Sequence, residues 1–131
     1  MSDHLKALEN VNANIGRVSR VAAETTDAFF ALHGVSMEGG SLSAKTKEMI
    51  AVGIAICVRC EGCIDFHVDS LISHHGATMD EIAEIVEVAV CMGGGPSVVY
   101  GGKAVEAAEQ IFEAKKEASA VPAAKLEAVP A

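Results

Sequence analysis

A chain of 131 residues, 50% of them hydrophobic, has room for one hydrophobic core and not for two independent ones. Only 4% of the residues are aromatic and none is Trp, so Ala, Val, Ile and Met must fill the interior; this suits closely packed helices and argues against a β-sandwich. The 10 Lys and Arg are outnumbered by 18 Asp and Glu, and a net charge of −8 with no basic cluster rules against nucleic acid and anionic lipid as partners.

Along the chain, Leu5, Leu8, Ile15, Val18, Val21 and Ala22 recur at mostly helical spacing and continue towards Phe29, Phe30 and Leu32. One or two helices are expected there, breaking near Gly16 and interrupted at Gly34, with Phe29 and Phe30 in the core. Ser36 to Ser41 reads as a loop, after which Ser43 is an N-cap for a helix running through Glu48 towards Val58. A separate helix runs from about Cys60 to His75 and closes at Gly76, a residue able to take the left-handed conformation. The His74-His75 pair in its last turn reads as a complement to the helix dipole. Thr78-Met-Asp-Glu81 has the form of a capping box and opens a helix whose Ile82, Ile85, Val86 and Ala89 share one face. Gly93-Gly94-Gly95-Pro96 ends it, and a last helix runs from about Ser97 to Lys116. The expectation is all-α, with five to six helices in one domain over residues 1–118 and a flexible tail over 119–131.

Met49 to Val58 and Val86 to Met92 are apolar around most of their circumference, more than a small monomer can cover, so subunits are expected to associate. Met49 to Val58 has about half of the roughly 20 residues a membrane-spanning helix needs, and no membrane association is expected. The chain opens without a basic flank and apolar segment, so the expected address is cytoplasmic. In that reducing compartment its 4 cysteines, three of them in Cys57-x-x-Cys60-x-x-Cys63 and the fourth at Cys91, point to redox chemistry or metal binding before structural crosslinking.

The chemistry concentrates in Glu48, Cys60, Cys63 and His67. On a helix, Cys63 and His67 stand at i and i+4 on one face, with Cys60 one turn earlier on nearly the same stripe. Free backbone N–H groups and the helix dipole favour a thiolate in the first turn, and His67 can accept a thiol proton. Glu48 precedes Cys60 by 12 residues, roughly 18 Å along an unbroken helix. It can therefore join the site only if the chain turns between Val58 and Cys60 and the two helices pack together. A buried carboxylate there would need a partner, and His67 is the nearest in chemical kind. Glu61 and Asp65 flank the thiols and read as a solvated face. Phe66 reads as core or as an apolar edge of the entrance. Spacing alone leaves the redox and metal readings about equal, while Cys57 and Cys91 each read as small buried side chains.

These residues, set in Leu42 to Ala51 and Arg59 to His67 and followed by Gly76-Ala-Thr and the Met92 to Pro96 region, resemble the alkylhydroperoxidase D and carboxymuconolactone decarboxylase superfamily. The resemblance covers roughly half to two-thirds of the chain by the element reading above. It implies an all-α fold assembled as homotrimers or homohexamers. It implies further that Cys63 attacks a hydroperoxide, Cys60 resolves the product as a disulfide, and His67 with Glu48 relays protons. A dithiol, lipoylated protein in the best-known members, would be the reductant; no metal or other cofactor is expected. The chain departs from alkylhydroperoxidase proper in having no second helical half, in carrying Gly62 between the thiols where some members have histidine, and in adding Cys57. Two alternatives accompany this reading: a lactone decarboxylase in which His67 handles protons without thiols, and a non-catalytic metal-binding or redox-sensing module built on the three clustered cysteines.

Overall fold

A computed structural model describes residues 3–120, and within them the chain is all-α, with six helices and no strand. They are α1 (Asp3–Val21), α2 (Ala23–Met37), α3 (Ala44–Cys57), α4 (Glu61–Ser73), α5 (Met79–Gly93) and α6 (Gly95–Ala120). Their start and stop signals are largely local. Ser43 accepts a hydrogen bond from the Thr46 backbone N–H at 3.1 Å and caps α3. Thr78 and Glu81 form a reciprocal capping box at the start of α5. Gly76 and Gly94, both with φ near +70°, turn the chain out of α4 and α5.

Three boundaries differ from the sequence expectation. The first helix ends at Val21, not near Gly16, and Gly34 lies inside α2. A helical glycine costs about 1 kcal/mol relative to Ala, and with nothing within 4 Å of a Cβ at either position no packing constraint adds to that. The break falls instead at Ala22, whose backbone leaves the helical region. The loop after α2 accordingly begins at Glu38. Helix α6 starts at Gly95 and includes Ser119 and Ala120; the rest of the expected tail, 121–131, lies outside the described residues.

The core is assembled by helical stripes. Val52, Ala55 and Ile56 of α3 meet Ile64, Val68, Leu71 and Ile72 of α4, and Ile82 and Ala89 of α5 and Ala104, Ala107, Ala108 and Ile111 of α6 complete it. Small residues let α5 and α6 approach closely: a Cβ on Gly101 would lie 2.8 Å from Val86 Cγ1. Helices α1 and α2 form an arm laid across this four-helix core, with α1 touching α4 and α6. Most of α2 faces outward, and Phe29 is 59% exposed, so Phe29 and Phe30 are not core residues of this subunit. Among the described residues no helix is long and apolar enough to cross a membrane.

Candidate active site

Helix α3 places Glu48 at the start of its buried stripe, and the chain then reverses over the three residues Val58, Arg59 and Cys60 to begin α4. The reversal uses Val58 as C-cap, Arg59 at φ 59°, and a hydrogen bond from the Cys60 N–H to the Ala55 carbonyl at 3.1 Å. A left-handed arginine costs about 1–2 kcal/mol, and it is this residue, not a glycine, that turns α4 back along α3. The turn required between Val58 and Cys60 is therefore present, and it brings Glu48 to α4.

Cys60 is the N-cap of α4, its Sγ 3.3 Å from the Cys63 backbone N–H, and the two cysteines are joined by a disulfide with Cα atoms 5.2 Å apart. One turn further along, His67 Nδ1 donates to Glu48 Oε2 at 2.7 Å, and Ser70 Oγ donates to Glu48 Oε1 at 3.2 Å. Glu48 is only 5% exposed. Burial pushes its carboxyl up, yet the hydrogen bond and charge of His67, the hydroxyl of Ser70 and the charge of His75 together hold it below the ordinary glutamate value. In the neutral ring, an ionised Glu48 places the proton on Nδ1 and leaves Nε2 as the acceptor. Phe66 stands edge-on to His67, centroids 5.1 Å apart, and His33 of α2 lies against both rings at 5.9 and 5.7 Å.

The model of the carboxymuconolactone decarboxylase family matches residues 23–110, which include all of α2 to α5 and every side chain just described. The chain belongs to the carboxymuconolactone decarboxylase family. Two uncharacterized relatives support this: one from Cupriavidus necator is 33% identical over 80% of this chain and 93% of its own, and protein 4 in the cox locus of Paracoccus denitrificans is 34% identical over 80% and 94%. Among solved structures, a Legionella pneumophila protein of the family superposes with TM-score 0.79 at 34% identity, covering 84% of this chain and 98% of that one. A Thermotoga maritima family protein, for which a part in antioxidative response has been suggested, superposes with TM-score 0.76 at 29% identity, covering 86% and 95%.

In this family member all four expected site residues converge on α3 and α4, but the neighbouring side chains correct several expectations. Cys57 and Cys91 are exposed free thiols, not buried ones. Cys57 Sγ faces Ala89 O at 3.6 Å and Ser97 Oγ at 3.8 Å and lines a groove of about 440 Å³ between α3 and α5. It therefore faces α5 and α6, while Cys60 and Cys63 are paired with each other, so the structure does not gather the three clustered cysteines into one group. Asp65 is not on a solvated face: it lies 3.3 Å from Nδ1 of the buried His4, and burial raises its carboxyl against the opposing effect of His4. Glu61 is exposed and pairs with Lys103 at 3.1 Å. Helix α4 ends at Ser73 with His74 as its C-cap, so His75 lies beyond the last turn and acts on Glu48 through its charge. Gly62 has a packing reason, since a Cβ there would lie 3.1 Å from Val11 Cγ2 of α1.

Two residues of the site escape a sequence reading. Ser70 stands at i+3 from His67 and was open to the same helical-spacing argument. His33 carries no such signal, because only the way α2 lies beside α1 and α3 brings its ring to Phe66 and His67.

Proposed function

We propose that this protein is a thiol peroxidase or thiol–disulfide oxidoreductase of the cytoplasm, using Cys63 as nucleophile, Cys60 as resolving thiol and His67 with Glu48 as proton relay. The observation that carries the reading is a pair of cysteines able to close into a disulfide at the head of α4, one turn from a histidine held by a buried, ionised carboxylate. The antioxidative role suggested for the Thermotoga relative supports the same chemistry.

In the reduced protein His67 Nε2 accepts the Cys63 thiol proton, and the free N–H groups at the head of α4 favour the resulting thiolate. The sulfur attacks the distal oxygen of a hydroperoxide. An S–O bond forms, the O–O bond breaks, and the leaving alkoxide takes up a proton to depart as alcohol. The Cys60 thiol then displaces water from the Cys63 sulfenic acid, giving the disulfide. A dithiol donor, lipoylated protein being the class the family resemblance implies, reduces it and is itself oxidised.

Exposed apolar residues on α2 (Phe29, Leu32, Val35) and along the α3–α5 groove (Ile50, Ile54, Val88, Met92) support association into homotrimers or homohexamers.

The test is intact-mass spectrometry of the reduced protein before and after one equivalent of an organic hydroperoxide, with peptide mapping. Loss of two hydrogens localised to Cys60 and Cys63 is expected, and the Cys63→Ser variant should lose peroxide turnover. Oxidation scattered over methionines, or full turnover by Cys63→Ser, sinks the reading. Lactone decarboxylation that survived loss of both thiols would replace it.

A further inference from the structure

Among the described residues two buried side-chain nitrogens have no hydrogen-bond partner, His4 Nε2 and His33 Nε2. The first faces a carboxylate oxygen of Asp69 at 3.7 Å. The second has no such neighbour, and it lies in the ring cluster of the site, with His67 5.7 Å away at 34° and Phe66 edge-on. A polar atom buried without a partner costs about 1–3 kcal/mol, and such atoms are rare enough in native proteins to require a cause. The helix does not supply one: around His33, α2 exposes Phe29, Phe30, Leu32 and Val35, so packing of the helix as a whole does not turn this imidazole inward.

The proposed reaction has a vacant role that fits. His67 has Nδ1 committed to Glu48, and its Nε2 takes the thiol proton. The oxygen that leaves as alkoxide needs a hydrogen-bond donor of its own while the O–O bond breaks. We propose that His33 is the substrate-binding imidazole of this site, its Nε2–H donating to the proximal oxygen of an organic hydroperoxide. This rests on the peroxidase reading. In the disulfide state the nitrogen is shielded from water; its partner comes with substrate, once the Cys60–Cys63 bond is reduced. The balance is that of the peroxidase step: Cys63 sulfur gains oxygen and is oxidised, the peroxide is reduced, and the alkoxide held by His33 leaves as alcohol with the proton that His67 took from the thiol.

The test compares the two half-reactions in stopped flow: oxidation of the reduced protein by cumene hydroperoxide, and reduction of the disulfide by dithiothreitol. His33→Phe keeps a ring in place but removes the nitrogen, and His33→Gln returns an amide N–H near the Nε2 position. We expect His33→Phe to slow oxidation about 10²-fold, the usual effect of losing one oxyanion donor. Reduction should stay within twofold of wild type, and His33→Gln should recover most of the oxidation rate. A His33→Phe variant that folds and is oxidised at the wild-type rate overturns the proposal, as does a His33→Gln variant no faster than His33→Phe. If wild-type protein itself is not oxidised while its disulfide still exchanges with dithiothreitol, the peroxidase reading fails and takes this proposal with it; a normal wild type beside an unaffected His33→Phe sinks the His33 role alone.

Discussion

Glu48 opens an apolar stripe that continues through Val52, Ala55 and Ile56, so its charge is tolerated only because His67 and Ser70 occupy both carboxylate oxygens. Its folded-state pKa is lowered from 4.5, which makes the ionised form a source of stability present above that value and lost as pH falls through the lower folded value. Glu48→Gln keeps the shape and removes the charge. At pH 7 it should cost about 1–3 kcal/mol, with peroxide turnover down about 10²-fold or more through loss of the relay. The stability gap should narrow as pH falls below 4.5 and through the lower folded value, where wild-type Glu48 itself becomes protonated. Urea titrations at pH 7 and pH 3.5 check this; a gap that widens in acid contradicts the assigned direction. The Glu48–His67 pairing was legible because a buried carboxylate demands a partner and His67 was the nearest in chemical kind once the chain turned. The turn itself was inferred from function, since Arg59 in the left-handed region carries no mark in the sequence. His33 was illegible for a different reason: its neighbours are fixed by how α2 lies beside α1 and α3, which no spacing along one helix encodes.

Capping and glycine signals marked the start of α3, the end of α4 and both ends of α5, where a side chain or a positive φ does the work locally. The α1–α2 break was misplaced because a glycine facing open space does not end a helix, as Gly16 and Gly34 demonstrate. Adjacent glycines in α6 make the same distinction testable. Gly101 is buried where a Cβ would press to 2.8 Å on Val86 Cγ1, a stiff β-branched neighbour, whereas nothing lies within 4 Å of a Cβ on Gly102. Gly102→Ala should stabilise by about 0.5–1 kcal/mol through the unfolded chain and helix propensity. Gly101→Ala gains the same propensity but must force α5 and α6 apart, at about 1–3 kcal/mol. Thermal melting should therefore move in opposite directions for the two variants. Shifts of the same sign would mean that the α5–α6 approach is looser than the helices' close packing indicates.

At the scale of the whole molecule, apolar side chains of the described residues remain uncovered on the arm and along the α3–α5 groove, among other places. On the arm, Leu32 is 62% exposed beside Phe29 and Val35; on the α3–α5 groove, Val88 is 65% and Met92 79% exposed beside Ile50 and Ile54. Composition could announce this excess but not its place, because a residue destined for a subunit contact reads in sequence like one destined for the core; Phe29 and Phe30 were assigned to the core on that ground. A closed ring needs one pair of complementary surfaces, whereas a hexamer of paired subunits needs two kinds of contact. The proposed assembly can therefore be dissected by breaking one surface at a time. Leu32→Asp and Val88→Asp each replace an exposed side chain, so each subunit should keep its fold within about 0.5 kcal/mol. Light scattering on the eluting protein should give a mass of three or six subunits for wild type. In a hexamer, each variant alone should leave a different intermediate and the double variant a monomer; in a trimer, one variant should be silent and the other should dissociate it. Because every subunit brings a net charge of −8, subunits repel, and assembly should strengthen as salt is raised. A wild type that runs as a monomer at micromolar concentration in 0.5 M salt would remove the assembly and leave both apolar surfaces needing another explanation.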